Sequence, residues 1–193
     1  MADPNAQQHD RILAAARHCY LSSGISRTGM QNVADTAGVA RSTLYRYFRS
    51  RDALLIATVQ VEMLELNAIL RRKLDRFADP ADQIIEGLVL ALREIPRRPL
   101  LRAVFASNED ARARQVVWSA EVIVKFGEEL MAHVTGPARE AGVLQDAVPA
   151  EVMIEWVYRL LLSFLTLPSN TVKSASQLRV TLRALLLPVL LKS

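Results

Sequence analysis

The stretch TGMQNVADTAGVARSTLYRYFRSRDAL, residues 28–54, decides how the rest of the chain is interpreted. Thr28 and Gln31 have the spacing of a capping box, which predicts a helix that begins at the threonine. The apolar face of this helix is formed by Val33, Ala34 and Ala37. Gly38 predicts the end of the helix, because glycine enters left-handed dihedrals without steric cost.

A second helix is predicted to open directly after this turn, at Arg41. Its apolar residues recur at intervals of three and four, and two of them, Leu44 and Phe48, should be buried. The outward face is then a run of donors with one aromatic ring: Arg41, Ser42, Thr43, Tyr45 and Arg46. Such a face suits a phosphate backbone and base edges. The pair of helices predicts a helix-turn-helix, whose second helix enters the major groove.

The whole run resembles the signature of the TetR family of one-component bacterial repressors. The resemblance comprises a threonine that opens the second helix, V-A-x-x-A-G-V across the turn, then T-L-Y-R-Y-F and S-R-D-A-L. It is close over residues 9 to 60 and only architectural beyond. Three positions differ from the family pattern: Ala40 replaces a serine, Ser42 a glycine and Arg51 a lysine. Ala40 predicts that the recognition helix has no side-chain N-cap.

The residue pattern and the resemblance together give a candidate set of DNA contacts. Tyr45 and Arg46 project from the recognition helix, while Thr28, Tyr47 and Arg51 are expected by resemblance to contact phosphates at helix ends. The full set is Thr28, Gln31, Arg41, Ser42, Thr43, Tyr45, Arg46, Tyr47 and Arg51. Residues 1–51 hold seven Lys and Arg but three Asp and Glu, which accounts for the whole net charge of +4. This is the electrostatic footprint that DNA binding requires.

The composition predicts an all-α, soluble, globular fold. Of the 193 residues, 51% are hydrophobic and 23% are charged, while seven glycines and eight prolines leave few β-type patterns. The expected organisation is a three-helix DNA-binding domain at residues 1–51 and a helical ligand-binding and dimerisation domain at residues 52–193, with about nine helices. Residues 1–8 are expected to be a mobile tail, followed by a first helix from His9 to Gly24.

A long fourth helix is predicted, with Ser50 as its cap and Asp52 in its first turn. Its apolar stripe alternates steps of four and three residues through to Phe77, and in the family this helix connects the two domains. Asp79 and Pro80 are expected to end it. Five further helices are predicted at about 81–95, 97–107, 109–135, 149–167 and 174–191, with a break at Gly136 and Pro137.

The predicted helices at 149–167 and 174–191 are apolar on nearly every side. A helix without a polar face must be covered all round, which favours a subunit interface over a monomer interior. Pairing with their twofold mates would give a four-helix bundle, as the family resemblance also implies. The interface residues are predicted to be Leu161, Leu165, Leu178, Leu182 and Leu185. The alternative is that both helices lie inside a monomer.

Catalytic and metal-binding patterns are missing from the sequence. Its three histidines lie far apart, and one cysteine, Cys19, cannot build a zinc site or an internal disulfide. No GxSxG, GxxxxGK[ST] or GxGxxG motif is present, so neither an enzyme nor a cofactor is expected. The single thiol and the polar start of the chain, which lacks a signal peptide, predict a cytoplasmic protein without membrane association.

The C-terminal part is expected to bind a hydrophobic small molecule. Bulky apolar side chains recur there beside a few polar ones, which is the usual make-up of such a site. The candidate residues are Arg102, Phe105, Asn108, Trp118, Phe126, Met153, Trp156 and Arg159. The ligand could carry a carboxylate that pairs with arginine, but Glu121 or Glu155 could instead neutralise that arginine and leave the pocket wholly apolar.

The sequence therefore predicts a regulator that binds a palindromic operator as a homodimer and is released by a hydrophobic ligand. Repression is expected, although an activator would begin with the same DNA contact. The main alternative is a small-molecule-binding or scaffolding dimer with a vestigial DNA-binding head. The intact outward residues Thr43, Tyr45 and Arg46 favour the regulator.

Overall fold

The computed structural model describes residues 3–106, 111–119, 122–145, 149–167 and 169–192, with the backbone alone for residues 122–124 and 150–151. Its helices are α1 (Pro4–Ser23), α2 (Met30–Ala37), α3 (Arg41–Tyr47), α4 (Arg51–Leu74), α5 (Pro80–Glu94), α6 (Pro99–Leu101), α7 (Ala111–Ser119), α8 (Val122–Glu140), α9 (Ala150–Thr166), α10 (Ala175–Leu185) and α11 (Leu187–Leu190). A 3-10 turn (Ile95–Arg97) follows α5, and a π turn (Arg102–Ala106) follows α6. The described ranges contain no β-strand, so the predicted all-α fold is confirmed.

Helix α1 begins earlier than the sequence suggested. The Asp3 carboxylate accepts a hydrogen bond from the Asn5 amide, and Pro4 occupies the first helical position, where its missing N–H is not needed. Residues 4–8 are therefore helical, and the expectation of a mobile tail is wrong for them. The predicted stop at Gly24 is confirmed.

The capping box predicted at Thr28 and Gln31 is wrong. Helix α2 starts at Met30, and the Asn32 carboxamide oxygen accepts a hydrogen bond of 3.0 Å from the Gly29 amide. Thr28 is buried instead, and its hydroxyl donates to the Gly24 carbonyl at 2.9 Å. The polar cap lies one residue later than predicted because an asparagine at the third helical position reaches back as a glutamine would.

Helix α4 opens as predicted, because the Ser50 hydroxyl accepts the Ala53 amide and Asp52 lies in the first turn. It ends at Leu74 rather than near Phe77, and Asp79 caps α5 instead of closing α4. By length and composition α4 is the one described helix that could cross a bilayer, but half of that segment is buried within the protein. A core helix gives the same signal.

The chain divides into two compact units. Unit 1 comprises Met1–Met63 and Arg98–Val122, and unit 2 comprises Leu64–Arg97 and Ile123–Ser193. The predicted boundary after residue 51 differs from this division, because it places all of α4 and the segment from residue 98 in the C-terminal domain. The predicted boundary separates a DNA-binding part from a ligand-binding and dimerisation part. It stays a prediction, because packing within one chain does not test those functions.

A buried carboxylate holds three segments of unit 1 together. Glu62 of α4 is only 4% exposed, and its two oxygens bind Arg17 of α1 and Arg98, the residue before α6. The Arg98 guanidinium lies 2.6 Å from the carboxylate and is largely shielded from solvent. Because an unpaired charge at this depth would be costly, the ion pairs constrain how α1 and α6 pack on α4.

Several C-terminal helices of the sequence prediction need correction. The one predicted at 97–107 is the short α6 with the π turn after it, and the one predicted at 174–191 is two helices, α10 and α11. The helix predicted at 109–135 is two helices, α7 and α8. The break predicted at Gly136 and Pro137 is wrong, because α8 continues to Glu140 with Pro137 inside it. The left-handed residue that closes α8 is Gly142, and the Val143 amide donates back to the Ala138 carbonyl at 2.9 Å.

The ion pairs of Glu62 give a stability prediction. Glu62→Ala leaves Arg98 shielded without its carboxylate and should lower the free energy of unfolding of unit 1 by about 3 kcal/mol. Gln60→Ala, on the exposed side of the same helix and in the same unit, should change it by less than about 0.5 kcal/mol. Trp118 in a Trp156→Phe background reports on unit 1 by fluorescence during urea unfolding. Equal effects of the two substitutions would contradict a structural role for the Glu62 pairs.

Candidate nucleic-acid interface and apolar cavity

Helices α1, α2 and α3 meet at one glycine. Gly38 lies in the left-handed region, with φ 62° and ψ 41°, and the Val39 amide donates to the Ala34 carbonyl at 3.0 Å. Arg11 of α1 donates to the Gly38 carbonyl at 3.1 Å. A side chain of α1 therefore holds the turn between α2 and α3 in place.

Helix α3 presents the donor face that the sequence predicted. Leu44 and Phe48 are buried, so the prediction for these two residues is confirmed. Thr43 is half-buried, and the exposed remainder of the predicted face is Arg41, Ser42, Tyr45 and Arg46. The helix starts without a side-chain cap at Ala40, also as predicted.

Two aromatic rings hold arginines on this face. The Arg41 guanidinium lies 5.5 Å from the ring centre of Tyr45, and the Arg46 guanidinium lies 5.6 Å from that of Tyr47. Cation–π attraction at such distances limits the orientations of both arginines without neutralising their charge. The face therefore keeps two positive groups in restricted positions, and α3 contains no acid.

Three members of the candidate set bond to groups outside their own helix. The Thr28 side chain is buried, the Tyr47 hydroxyl donates to Asn5 at 2.8 Å, and Arg51 donates to the Ile25 carbonyl at 2.7 Å. These bonds position the helix ends. Gln31 is exposed on α2, where its amide donates to Asp35.

Arg51 also lies close to a buried phenol. Burial raises the pKa of the Tyr20 hydroxyl above its ordinary range, and the positive charge of Arg51 only partly opposes this shift. Tyr20 therefore stays neutral, as a core residue of α1. Its position indicates that Arg51 packs against the interior of unit 1 rather than extending fully into solvent.

Arg49 was missed by the sequence reasoning. It lies between α3 and α4 and is exposed beside the donor face. The other residues were selected by the apolar periodicity of the helix, which ends at Phe48. Arg49 follows in the loop, where no periodic pattern marks it. The excess of positive charge in residues 1–51 was the available signal.

The residues predicted for a dimer interface divide into three groups. Leu178 and Leu182 are buried within the single chain, where they pack in the core and offer little surface to a partner. Leu161 and Leu165 are half-buried. Leu185 is 70% exposed. The other exposed apolar residues of α9 to α11 are Val152, Trp156, Val180 and Val189.

Unit 2 contains an apolar cavity of about 710 Å³, including the part of its mouth that is continuous with solvent. Helix α5 supplies one wall with two small residues, Gly87 and Ala91. Helix α8 supplies Phe126 and Gly127, and α9 supplies Ile154 and Tyr158. Leu186 and Leu190 close the remaining side. Its apolar lining is of the kind that small-molecule sites usually have.

The cavity includes only one of the predicted ligand residues, Phe126. Arg102, Phe105 and Trp118 belong to unit 1 and line no part of it. Met153 is buried elsewhere, Trp156 is exposed, and Arg159 pairs with Glu155 on the surface at 2.8 Å. Asn108 lies outside the described residues.

For Arg159, the structure therefore shows the alternative in which a glutamate pairs with the arginine. Residues of α5 were missed altogether, although the small pair at positions 87 and 91 recurs on one helical face. Among the described side chains, no three of His, Cys, Asp and Glu are grouped so that they could hold a metal ion.

Two glycines of the cavity wall give a matched test. A Cβ at Gly127 would lie 2.4 Å from Ile154 Cγ2, whereas one at Gly87 would lie 3.8 Å from Leu74 Cδ1. Gly127→Ala should therefore destabilise unit 2 by about 1–3 kcal/mol through overpacking. Gly87→Ala should be neutral or stabilising, because alanine favours helices. Thermal unfolding of both variants checks the difference, and the reverse order would show that the α8–α9 contact is misplaced.

Comparison with curated proteins places the chain among transcriptional regulators. The family model described as "Bacterial regulatory proteins, tetR family" matches residues 12–58. The Mycobacterium tuberculosis protein named "Uncharacterized HTH-type transcriptional regulator Rv1255c" is 30% identical over 161 residues, covering 83% of this chain and 76% of that protein. The HTH-type transcriptional repressor KstR of the same species is 31% identical over 100 residues, covering 52% of this chain and 46% of that protein.

A solved structure has the same fold. Thermus thermophilus FadR, described as a TetR family transcriptional repressor in complex with lauroyl-CoA, aligns with a TM-score of 0.64 and 23% identity. The alignment covers 91% of this chain and 93% of that one. The glycine turn, the donor face of α3 and the long match to a mycobacterial regulator lead to one assignment: the chain belongs to the TetR family of transcriptional regulators.

Proposed function

We propose that this TetR-family regulator represses transcription by binding a palindromic operator as a cytoplasmic homodimer, and that a hydrophobic small molecule releases it. The observation that carries the proposal is the exposed face of α3. It combines two oriented arginines with hydroxyl donors and contains no acid. Phosphates and the guanine edge in the major groove are acceptors of the kind that these groups bind.

The proposed DNA contacts come from the α3 residues of the candidate set and from Arg49. Arg46 and Thr43 would read base edges, and Arg49 would bind phosphate. Thr28 and Arg51 would act by positioning α2 and α4, because their polar groups bond to the Gly24 and Ile25 carbonyls. Tyr47 would contact phosphate only by exchanging its bond to Asn5.

The proposal of a homodimer rests on exposed apolar side chains of α9 to α11. Trp156 and Leu185 are 44% and 70% exposed in the single chain, and Val152, Val180 and Val189 are exposed as well. A second copy that covers them would remove apolar area from water. Twofold symmetry of the protein would then require a palindromic operator.

Release by a ligand is supported by the cavity of unit 2. A ligand can shift the regulator away from DNA only if it binds the released state more tightly than the DNA-bound state. The experiment is a gel shift on a duplex selected from a random library, followed by addition of neutral and charged lipophiles. Release of the duplex by polar sugars alone would contradict the proposal.

Two arginines of the same face should affect DNA binding differently. Arg46→Ala should cost about 1–3 kcal/mol on the selected duplex but little on a scrambled one, because a base contact is lost. Arg49→Ala should weaken both duplexes alike and lower the slope of log K against log salt by about one. Fluorescence anisotropy over a salt series measures both quantities. A folded Tyr45→Ala, Arg46→Ala protein that kept normal discrimination would instead support the vestigial-head alternative.

The dimer proposal predicts the effect of a charge at Leu185. Leu185→Glu should yield a monomer and abolish tight operator binding, because a carboxylate buried at an interface without a partner costs several kcal/mol. The side chain is exposed in the single chain, so the fold itself should survive. Val143→Glu, at another exposed apolar site of unit 2, is the control and should stay dimeric. Sedimentation equilibrium measures the mass, and a wild-type mass of 21.5 kDa would contradict the dimer.

A further inference from the structure

We propose that the cavity of unit 2 selects an uncharged lipophile and rejects ionised head groups. This inference rests on the proposed function only for the consequence of binding, since the occupant is argued from the cavity itself. The described lining contains aliphatic side chains, a methionine, glycines and the rings of Phe126 and Tyr158, and the hydroxyl of Tyr158 is its one hydrogen-bonding side-chain group. No lysine, arginine or histidine is among the described residues of the lining.

Both arginines of α10 pair with acids that lie outside the described cavity lining. Arg179 of α10 binds Glu86 of α5, with its Nη2 at 2.8 Å, and this bond raises the pKa of the guanidinium. Arg183 binds Asp82 one turn further along the same two helices. The α5–α10 contact is thus closed by two ion pairs that do not belong to the cavity lining.

The polar side chains of α8 and α9 follow the same arrangement. On α8, Glu129 accepts from Asn67 at 2.9 Å and His133 lies 2.9 Å from Asp75. On α9, Arg159 pairs with Glu155 on the exposed side of the helix. None of these residues belongs to the lining, so the described side chains of α8 and α9 place no charged group in the cavity wall.

This arrangement discriminates by charge. A neutral apolar molecule that enters the cavity removes its own surface and that of the wall from water, which is favourable. An ionised carboxylate or phosphate would lose its hydration there and find no cation in the described lining. This cost of losing hydration belongs to the ionised head group and not to the alkyl chain. Two ligands with the same chain and different head groups should therefore bind with different affinities.

The test uses the full chain without DNA and a matched ligand set. Dodecanol and methyl laurate are neutral, laurate is ionised at about pH 8, and lauroyl-CoA carries phosphates. Displacement of the neutral fluorescent dye N-phenyl-1-naphthylamine gives the affinity of each. Dodecanol and methyl laurate should bind at least about tenfold more tightly than laurate and lauroyl-CoA. Equal or tighter binding of either charged ligand would overturn the proposal, as would failure of both neutral ligands to bind.

Variants locate the occupant. Gly87→Phe should weaken dodecanol binding by at least about tenfold, because the new ring occupies the cavity. Ala91→Val is the smaller second variant and should weaken binding in the same direction if the first fails to fold. Gly136→Ala is the control, since its Cβ meets nothing within 4 Å and it lies outside the lining. Unchanged dodecanol binding in a folded cavity variant would place the ligand elsewhere and overturn the assignment.

The same ligands then separate this inference from the proposed function. Neutral ligands that bind as expected but leave the operator complex intact would overturn ligand release while the charge selectivity stands. Release by lauroyl-CoA with no release by dodecanol would overturn the charge selectivity while release by a ligand stands. Because binding and release are measured separately, each outcome counts against one statement only.

Discussion

The left-handed backbone of Gly38 is the constraint on which the DNA-binding face depends. A residue with a Cβ would pay roughly 1–2 kcal/mol for these dihedrals. Any compensating change of the turn would rotate α3 relative to α2. Arg11 donates to the Gly38 carbonyl, so the same residue also fixes α1. The direction of α3, and with it the placement of Arg41 and Arg46, thus depends on the backbone of a glycine three and eight residues earlier in the chain.

Charge is used differently in the two units. In unit 1, the arginines of α3 and Arg49 are exposed and form no ion pair with a described residue, while the buried carboxylate of Glu62 pairs with Arg17 and Arg98. In unit 2, Arg179 and Arg183 pair with acids of α5, and the described residues of the cavity lining carry no charge. The first arrangement suits a polyanion and the second an apolar molecule, which is the combination that a ligand-responsive regulator needs.

The DNA-binding part, from α1 to the start of α4, could be predicted from sequence because its signals are local. Periodicity marked Leu44 and Phe48, Gly38 marked the turn, and Ser50 marked the start of α4. The cavity could not be predicted in the same way. Helix α9 is apolar nearly all round, so no period separates residues that face the cavity from those that face solvent. Phe126 was identified by its bulk, whereas Gly87 and Ala91 contribute by being small, and only the packing of other helices reveals that.

The single cysteine offers a way to measure the local opening of α1 and α2 separately from the rest of the chain. Cys19 is 6% exposed, and its sulfur lies 3.3 Å from the Thr36 hydroxyl, so it is enclosed between α1 and α2. A thiol reagent in solution can reach it only when these two helices separate. Because the sequence contains no other cysteine, the labelling rate reports this opening without an engineered reporter. The ratio of that rate to the rate of an unfolded peptide thiol gives the free energy of local opening.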